Sequence, residues 1–134
     1  MKTLADLAVH RENGVCRIAD IARRQGIPAK FLEQILLVLK GGGIVASKRG
    51  IKGGYYLDAS PSEVTVADVV RLTGGQLSPP GATAPRTDET EAALQGLWQE
   101  LAEHIAKELN ATTLQDVCEK IERLSDGKGA DYVI

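Results

Sequence analysis

The fold is decided by two helical patterns on either side of Gly26, Arg17-Ile-Ala-Asp-Ile-Ala-Arg-Arg-Gln25 and Pro28-Ala-Lys-Phe-Leu-Glu-Gln-Ile-Leu-Leu-Val-Leu-Lys40. Gly26 supplies the positive φ that ends a helix, and Pro28 has the fixed φ suited to a first helical position. In each pattern the apolar residues share one helix face, which predicts packing on a common core: Ile18, Ile21 and Ala22, then Leu32, Ile35, Leu36 and Leu39. Two short helices that meet at a glycine predict a helix-turn-helix.

The following segment predicts a β-hairpin with a basic turn. It reads Ile44-Val-Ala-Ser-Lys-Arg-Gly-Ile-Lys-Gly-Gly-Tyr-Tyr-Leu57, and its turn carries the cations Arg49 and Lys52 together with three glycines. A turn with so little side-chain bulk lets its backbone and Arg49 approach a phosphate or enter a narrow minor groove. The expected fold class is mainly α with a small β-hairpin wing, a winged helix-turn-helix with a long helix appended.

The second helix presents polar residues on its outer face. Lys30, Glu33 and Gln34 lie near its N-terminal end, where a recognition helix offers side chains to base edges in the major groove. The net charge of −2 conceals an asymmetry, because residues 1–76 hold 11 Lys+Arg against 7 Asp+Glu, and residues 77–134 hold 5 against 11. Residues 17–52 alone hold 8 against 2, so the positive field is concentrated on the predicted DNA-binding element.

Length and composition predict one compact unit in the cytoplasm. The chain of 134 residues has no run as long as a membrane span, and it begins without the features of a secretory signal. The two cysteines, Cys16 and Cys118, are therefore expected to be reduced. No membrane partner is expected.

The winged unit is expected to span residues 1–76, and within it Thr65-Val-Ala-Asp68 predicts a capping box at the start of a short helix. The rest of the chain divides into three parts. Residues 77–88, rich in proline, are expected to be a linker, residues 89–124 two helices, and residues 125–134 a flexible tail.

The long acidic helix carries an apolar seam. Leu94, Trp98, Leu101 and Ile105 alternate four and three apart, as in a short coiled coil. Such a face can pack on its own domain, but the winged unit already has a small core of its own. A homodimer formed through this seam is expected, since two-fold symmetry suits a palindromic DNA site.

The chain resembles the Rrf family of winged-helix regulators. The motifs that carry the resemblance are Ile18-Ala-Asp-Ile-Ala22, Gln25-Gly-Ile27, Phe31-Leu-Glu-Gln34, Arg49-Gly50, Gly53-Gly-Tyr55 and Thr65-Val-Ala-Asp68. The resemblance implies that the recognition helix and wing bind double-stranded DNA, that the long helix crosses its dimer mate, and that the usual outcome is repression. By position it assigns Lys30, Glu33 and Gln34 to the groove, Arg49 and Lys52 to the wing's DNA contact, and Gly53, Gly54 and Tyr55 to the wing's shape. Family members begin earlier, with a basic lead-in, so a shorter first helix is expected here.

The chain departs from the members that carry an iron–sulfur cluster. Those members place three cysteines in the loop before the long helix and a further ligand such as His at its start. Residues 76–91 here contain neither Cys nor His. Ala92 and Gln95 stand where the last Cys and the His would be expected. No metal and no cofactor are expected. Structural roles are expected for the remaining candidates, His10, Cys16, His104 and Cys118. The glycine runs match no phosphate-binding fingerprint and no catalytic arrangement is apparent, so an enzyme is not expected.

The sequence Asp131-Tyr132-Val133-Ile134 follows one acidic residue with three largely apolar ones, where a tail is usually polar. They either pack on the dimer or enter a pocket that captures an aliphatic side chain with its free carboxylate. The second possibility resembles the tail of serine acetyltransferases, which enters the active site of cysteine synthase (O-acetylserine thiol-lyase). A cluster-free family member that represses cysteine metabolism ends similarly and has that enzyme as its partner.

These observations predict a homodimeric, cluster-free repressor of cysteine or sulfur metabolism, regulated by complex formation with cysteine synthase through the tail. Two alternatives stay open: a protein-interaction module that acts mainly on a metabolic enzyme, and an iron–sulfur or redox-responsive regulator of the same family.

Overall fold

The computed structural model describes residues 1–75 and 88–131, with side chains in the last helix described up to residue 127. Helices and strands follow the order predicted for a winged helix-turn-helix with further helices appended, which confirms the fold class. The elements are α1 (Lys2–Val9), α2 (Ile18–Gln25), α3 (Ala29–Gly41), β1 (Val45–Lys48), β2 (Gly54–Leu57), α4 (Val66–Leu72), α5 (Glu89–Ala111) and α6 (Leu114–Asp131), with a short 3-10 turn at Arg11–Asn13.

One core holds the winged unit together. The predicted stripe of α3 is confirmed: Leu32, Leu36 and Leu39 are buried and Ile35 is packed against them. Burying each such leucine contributes about 2–3 kcal/mol. Helix α1 adds Leu4 and Leu7, and the start of α6 adds Leu114 and Cys118 to the same core.

The local signals in the sequence produce the predicted helix ends. Gly26 has a φ of 65° and ends α2 in the left-handed region. Thr65 and Asp68 form the predicted capping box, in which the Asp68 amide donates to the Thr65 hydroxyl at 3.1 Å and the Thr65 amide donates to the Asp68 carboxylate at 3.0 Å. Thr113 and Asp116 repeat the arrangement at the start of α6.

The wing is an antiparallel pair that a third segment extends. Strands β1 and β2 pair from Val45 opposite Leu57 to Lys48 opposite Gly54. Cys16 then pairs with Tyr55, its amide donating to the Tyr55 carbonyl at 2.7 Å and its carbonyl accepting from the Tyr55 amide at 2.8 Å. A Cβ on Gly54 would lie 2.5 Å from the Cys16 carbonyl oxygen, so the position requires glycine.

The last helix is longer than the sequence predicted. The expected end near Leu124 and the flexible stretch from residue 125 are wrong up to Asp131, because α6 continues through these residues. A helix that has already started gains one hydrogen bond for each residue added, and this gain outweighs the roughly 1 kcal/mol cost of each of its two glycines. Tyr132, Val133 and Ile134, and most of the predicted linker, lie outside the described residues.

Candidate nucleic-acid interface

The outward face of α3 carries the predicted recognition residues. Lys30, Glu33 and Gln34 are all exposed, on the side of the helix opposite the buried leucines. Leu37 shares this face, at seven residues from Lys30 and three from Gln34, and is 61% exposed. Leu37 was not among the predicted recognition residues, because an apolar residue in a leucine-rich helix is most simply assigned to the core.

The wing tip carries further exposed cations. Arg49 and Lys52 are exposed, and Ile51 between them is 93% exposed. Arg17, in front of α2, donates a hydrogen bond from Nη2 to the Ile51 carbonyl at 2.5 Å. This bond ties the tip of the wing to the start of the helix-turn-helix, a contact between residues 34 positions apart that no local pattern predicts.

Gly53, Gly54 and Tyr55, which the resemblance assigns to the wing's shape and to its contact with DNA, lie where close backbone contacts form the wing. A Cβ on Gly53 would lie 2.4 Å from the Lys48 carbonyl oxygen, and the Gly54 position is closed by Cys16. Tyr55 packs against the core while its backbone pairs with Cys16. These residues therefore shape the turn, and the cations on it are the groups that face outward.

A groove lies between the start of α2, the C-terminal end of α3 and the wing. It has a volume of about 460 Å³ and is lined by nine residues, Arg17, Ile18, Lys40, Ser47, Lys48, Arg49, Gly53, Gly54 and Tyr55. Four of the nine are cations and none is an acid.

Two of the eight cations counted in residues 17–52 are neutralised within the chain. Arg24 forms a two-pronged ion pair with Asp6 of α1, in which Nε donates to Oδ2 at 2.9 Å and Nη2 donates to Oδ1 at 2.6 Å. Arg23 pairs with Asp20 on the surface of α2. Among residues 1–75 and 88–131, the other six, Arg17, Lys30, Lys40, Lys48, Arg49 and Lys52, form no ion pair.

Asp6 joins α1 to α2 through hydrogen bonds that no sequence pattern predicts. Its side chain is buried and also accepts a hydrogen bond from Gln25 Nε2 at 2.8 Å. Burial raises the pKa of Asp6, but the hydrogen bonds from Arg24 and Gln25 outweigh burial, so the pKa lies below its ordinary value. The hydrogen bonds that Arg24 donates to Asp6 raise the pKa of Arg24. The cluster fastens α1 to α2 and so fixes the position of the helix-turn-helix.

The cysteines and histidines are spread over separate elements. Cys16 lies buried behind the wing and Cys118 is buried on α6, and burial raises the pKa of both thiols. His10 follows α1, with Nδ1 2.8 Å from the Asp6 carbonyl oxygen, and His104 is exposed on α5. Within the described part of the chain, no three His, Cys, Asp or Glu residues are grouped so that they could hold a metal ion.

Helix α5 presents the predicted seam to solvent. Leu94, Trp98, Leu101 and Ile105 are between 45% and 57% exposed, and none of the 23 residues of this helix is buried. Leu97 adds a fifth large apolar side chain. The helix is attached to the winged unit near its C-terminal end, where the Val66 amide donates to the Thr112 carbonyl at 2.9 Å. Across residues 1–75 and 88–131, no helix is long and apolar enough to cross a membrane.

Comparison with known proteins identifies relatives over nearly the whole chain. The family model described as Rrf2, iron-dependent transcriptional regulator, matches residues 1–120. The transcriptional regulator IscR of Pectobacterium carotovorum is 34% identical over 137 residues, covering 96% of this chain and 80% of IscR. The structure of T. potens IscR superposes with a TM-score of 0.76 at 30% identity, covering 92% of this chain and 82% of that one. The structure of CymR, the global cysteine regulator of B. subtilis, gives a TM-score of 0.76 at 28% identity and covers 89% of both chains.

The iron in the family description does not fit the donor groups of this chain. Iron–sulfur clusters are held mainly by cysteine thiolates, with histidine in some clusters. Residues 76–91, which precede and begin the long helix, contain neither. The two cysteines are built into the packing of the winged unit and α6. Iron therefore has no part in the function proposed for this chain.

Proposed function

We propose that this chain, which belongs to the Rrf2 family of transcriptional regulators, represses transcription as a homodimer that binds operator DNA through α3 and the wing. Regulators rather than enzymes make up the family and the relatives that it matches. The observation that carries the proposal is a set of six cations before α2, on α3 and on the wing, which form no ion pair in the part of the chain that the structure describes.

The geometry suits duplex DNA. The major groove admits an α-helix, and Lys30 and Gln34 have the side chains that pair with guanine and adenine edges. The wing tip, with its small turn residues and Arg49, has the charge and the dimensions to enter the adjacent minor groove. Phosphates on the same duplex neutralise the remaining cations.

A gel shift with duplex DNA from upstream of its own gene tests this function. We expect binding that weakens as salt is raised and that survives an excess of random duplex. The Arg49→Ala variant should bind more weakly, and Lys120→Ala, which removes an exposed cation from α6, should bind as the unaltered chain does. Failure of the unaltered chain to prefer its upstream DNA at any salt concentration would favour a protein-interaction module.

The dimer is proposed from the state of α5. Exposing Leu94, Trp98, Leu101 and Ile105 together leaves an apolar face of a kind that monomeric proteins rarely show. A second copy of the same helix covers that face and places two winged units on the two halves of a symmetric site. Sedimentation at micromolar concentration should therefore give twice the mass of the chain.

The regulated process is proposed to be cysteine or sulfur metabolism. Similarity to a global cysteine regulator over most of the chain supports this assignment. The chemistry of residues 132–134 supports a specific partner, because an aromatic and two aliphatic side chains, presented on a peptide with a free carboxylate, suit the amino-acid site of cysteine synthase. In this proposal the enzyme captures Ile134, and O-acetylserine competes with the tail for the same site.

Calorimetric titration of cysteine synthase with a ten-residue peptide of this tail tests the partner. We expect saturable binding that O-acetylserine weakens and that disappears when Ile134 is deleted. A peptide with Ile134→Ala keeps the terminal carboxylate and measures the aliphatic contribution alone. Absence of saturable heat, or binding that O-acetylserine leaves unchanged, would leave the tail with a packing role.

A further inference from the structure

We infer that a pocket between the C-terminal end of α3 and helix α4 binds a free amino acid with an apolar side chain, and that its occupancy changes the affinity for operator DNA. Arg71 contacts the carboxylate of this ligand and Glu63 contacts its ammonium group. The inference rests on the proposed DNA-binding function and adds an effector site to it. None of the residues that line the pocket belongs to the recognition face or the wing tip.

The pocket lies where the chain passes from α3 into β1, and α4 forms its opposite wall. It has a volume of about 530 Å³ and is open to solvent. Sites for small molecules have volumes of about 300–1,000 Å³, so an amino acid fits with room on the solvent side.

The floor of the pocket is apolar and well fixed. Ile44 and Val64 are buried, and Leu72 is half-buried beside them. The Ile44 amide donates to the Leu39 carbonyl at 3.1 Å, which ties the floor to the last turn of α3. A Cβ on Gly42 would lie 2.4 Å from Cδ2 of Leu72, so α4 packs directly on the chain that follows α3. This floor suits an aliphatic or thioether side chain of a ligand.

Two charged groups of opposite sign on the pocket wall have binding capacity left. Arg71 donates from Nη2 to the Asn110 side-chain oxygen at 3.3 Å, and its Nη1 lies 3.8 Å from Asp68. A guanidinium has five donors, so further ones are available to a carboxylate. Glu63 is exposed, and within residues 1–75 and 88–131 its carboxylate forms no ion pair.

The mixture of charges decides the class of ligand. Glu63 and Asp68 repel a purely anionic ligand, and Arg71 repels a purely cationic one. A zwitterion instead presents a charge of the opposite sign to each of them. The C-terminal end of α3 also favours the ammonium group, because a helix carries partial negative charge there. A free amino acid therefore meets the requirements of both the wall and the floor.

The walls of the pocket link the DNA-binding helix to the long helix α5. Gly42 and Gly43 connect α3 to the wing, and Arg71 is bonded to Asn110 of α5. A ligand carboxylate that draws on Arg71 competes with this bond and so alters how α4 holds α5. Coupling between two sites typically changes affinity by about 5–150-fold, so we expect operator affinity to change at least about fivefold.

Calorimetric titration of the chain with leucine, methionine, valine and cysteine tests the site, with no other protein present. We expect saturable binding of at least one of the four, and weaker binding of aspartate, whose side chain would place a charge on the apolar floor. The amide of the amino acid that binds lacks the carboxylate charge, and its N-acetyl derivative lacks the ammonium charge. Each derivative should bind at least about tenfold more weakly than the amino acid.

Variants of the two charged residues assign each end of the ligand. Arg71→Gln should no longer distinguish the amino acid from its amide, and Glu63→Gln should no longer distinguish it from its N-acetyl derivative. Glu103→Gln removes an exposed carboxylate from α5 and should bind as the unaltered chain does. Asn110→Ala keeps the Arg71 guanidinium, so it should bind the amino acid but lose the effect on operator affinity. Thermal unfolding of every variant identifies any loss that comes from loss of the fold.

The outcomes separate this inference from the function on which it rests. Absence of saturable heat with all four amino acids, or binding that neither Arg71→Gln nor Glu63→Gln alters, would overturn the site. Binding through both residues that leaves operator affinity unchanged would overturn the effector role. In each of these cases the DNA-binding function stands. A folded chain that binds no duplex at low salt would overturn that function, and the effector role with it.

Discussion

The winged unit and helix α5 use apolar residues in opposite ways. The winged unit buries its large aliphatic side chains in one core and turns cations outward, so a single chain completes it. Helix α5 is longer than any other helix in the described residues and buries none of its side chains. A single chain therefore completes the core of the winged unit, whereas the apolar face of α5 is left for the association that we propose.

The largest expected effect is on dimer stability, from a substitution in the apolar seam of α5. Leu101→Asp places a carboxylate in the proposed dimer contact, and two-fold symmetry makes the change count twice. We expect the dissociation constant of the dimer to rise about a thousandfold, equivalent to about 4 kcal/mol, as measured by sedimentation. Gln99→Asp introduces the same carboxylate at an exposed position off the seam and should leave the dimer intact. Equal dissociation by both variants would mean that added charge, not the seam, sets the oligomeric state.

A second test is aimed at the inside of the winged unit. Asp6→Asn removes the buried partner of Arg24, and we expect a loss of about 2–4 kcal/mol in the free energy of unfolding. Asp20→Asn breaks an exposed pair and should cost less than about 1 kcal/mol. Chemical denaturation at neutral pH measures both. Similar small losses would show that the Asp6 cluster is not needed to join α1 to α2.

The pH dependence of the same cluster has a definite sign. Because the pKa of Asp6 is lowered in the folded chain, its contribution is complete above the unfolded pKa of about 4 and is lost as pH falls through the folded value. The difference in stability between the unaltered chain and Asp6→Asn should therefore be constant near neutral pH and shrink in acid. A difference that grows on acidification would contradict the assigned ion pair.

The wing gives a smaller effect, on binding rather than on folding. Arg49→Ala and Lys30→Ala should each weaken operator binding, with a cost of about 1–3 kcal/mol where the side chain reads a base. Neither change should lower the unfolding temperature, because both side chains are exposed. An equal loss on operator and random duplex would reduce the residue concerned to a phosphate contact.

The smallest expected effect concerns Leu37. An exposed aliphatic side chain on the outward face of α3 is suited to contact thymine methyl groups in the major groove of DNA. Replacing thymines of the operator by uracil removes single methyl groups and should cost the unaltered chain up to about 1 kcal/mol. The Leu37→Ala variant should not distinguish the two duplexes. A loss of the same size in both proteins would place the methyl contact on another residue.

Local features of the fold were predictable from sequence because each has a local cause. The left-handed Gly26, the capping box of Thr65 and Asp68, and the leucine stripe of α3 are all set by residues within one or two turns. The recognition residues of α3 followed from the same periodicity. The glycines of the wing were predictable because only glycine fits where backbone atoms approach closely.

Contacts between distant parts of the chain were not predictable in this way. Arg24 adds to the positive charge counted in residues 17–52, and only the packing of α1 on α2 pairs it with Asp6. Arg17 meets the wing tip only once the hairpin is folded. The length of α6 was underestimated because glycine and serine were taken as an end, although helix propagation from a capped start carries through them.

Selection of bound duplexes from a random pool by the 134-residue chain is the sharpest test of operator binding by a dimer. For a dimer that binds through both winged units, we expect enrichment of a two-fold symmetric sequence whose half-sites lie about one helical turn, or a multiple of it, apart. It also predicts that Leu101→Asp enriches the symmetric site far less than Gln99→Asp does. Failure to enrich any sequence above the starting pool, at every salt concentration tried, would contradict the account.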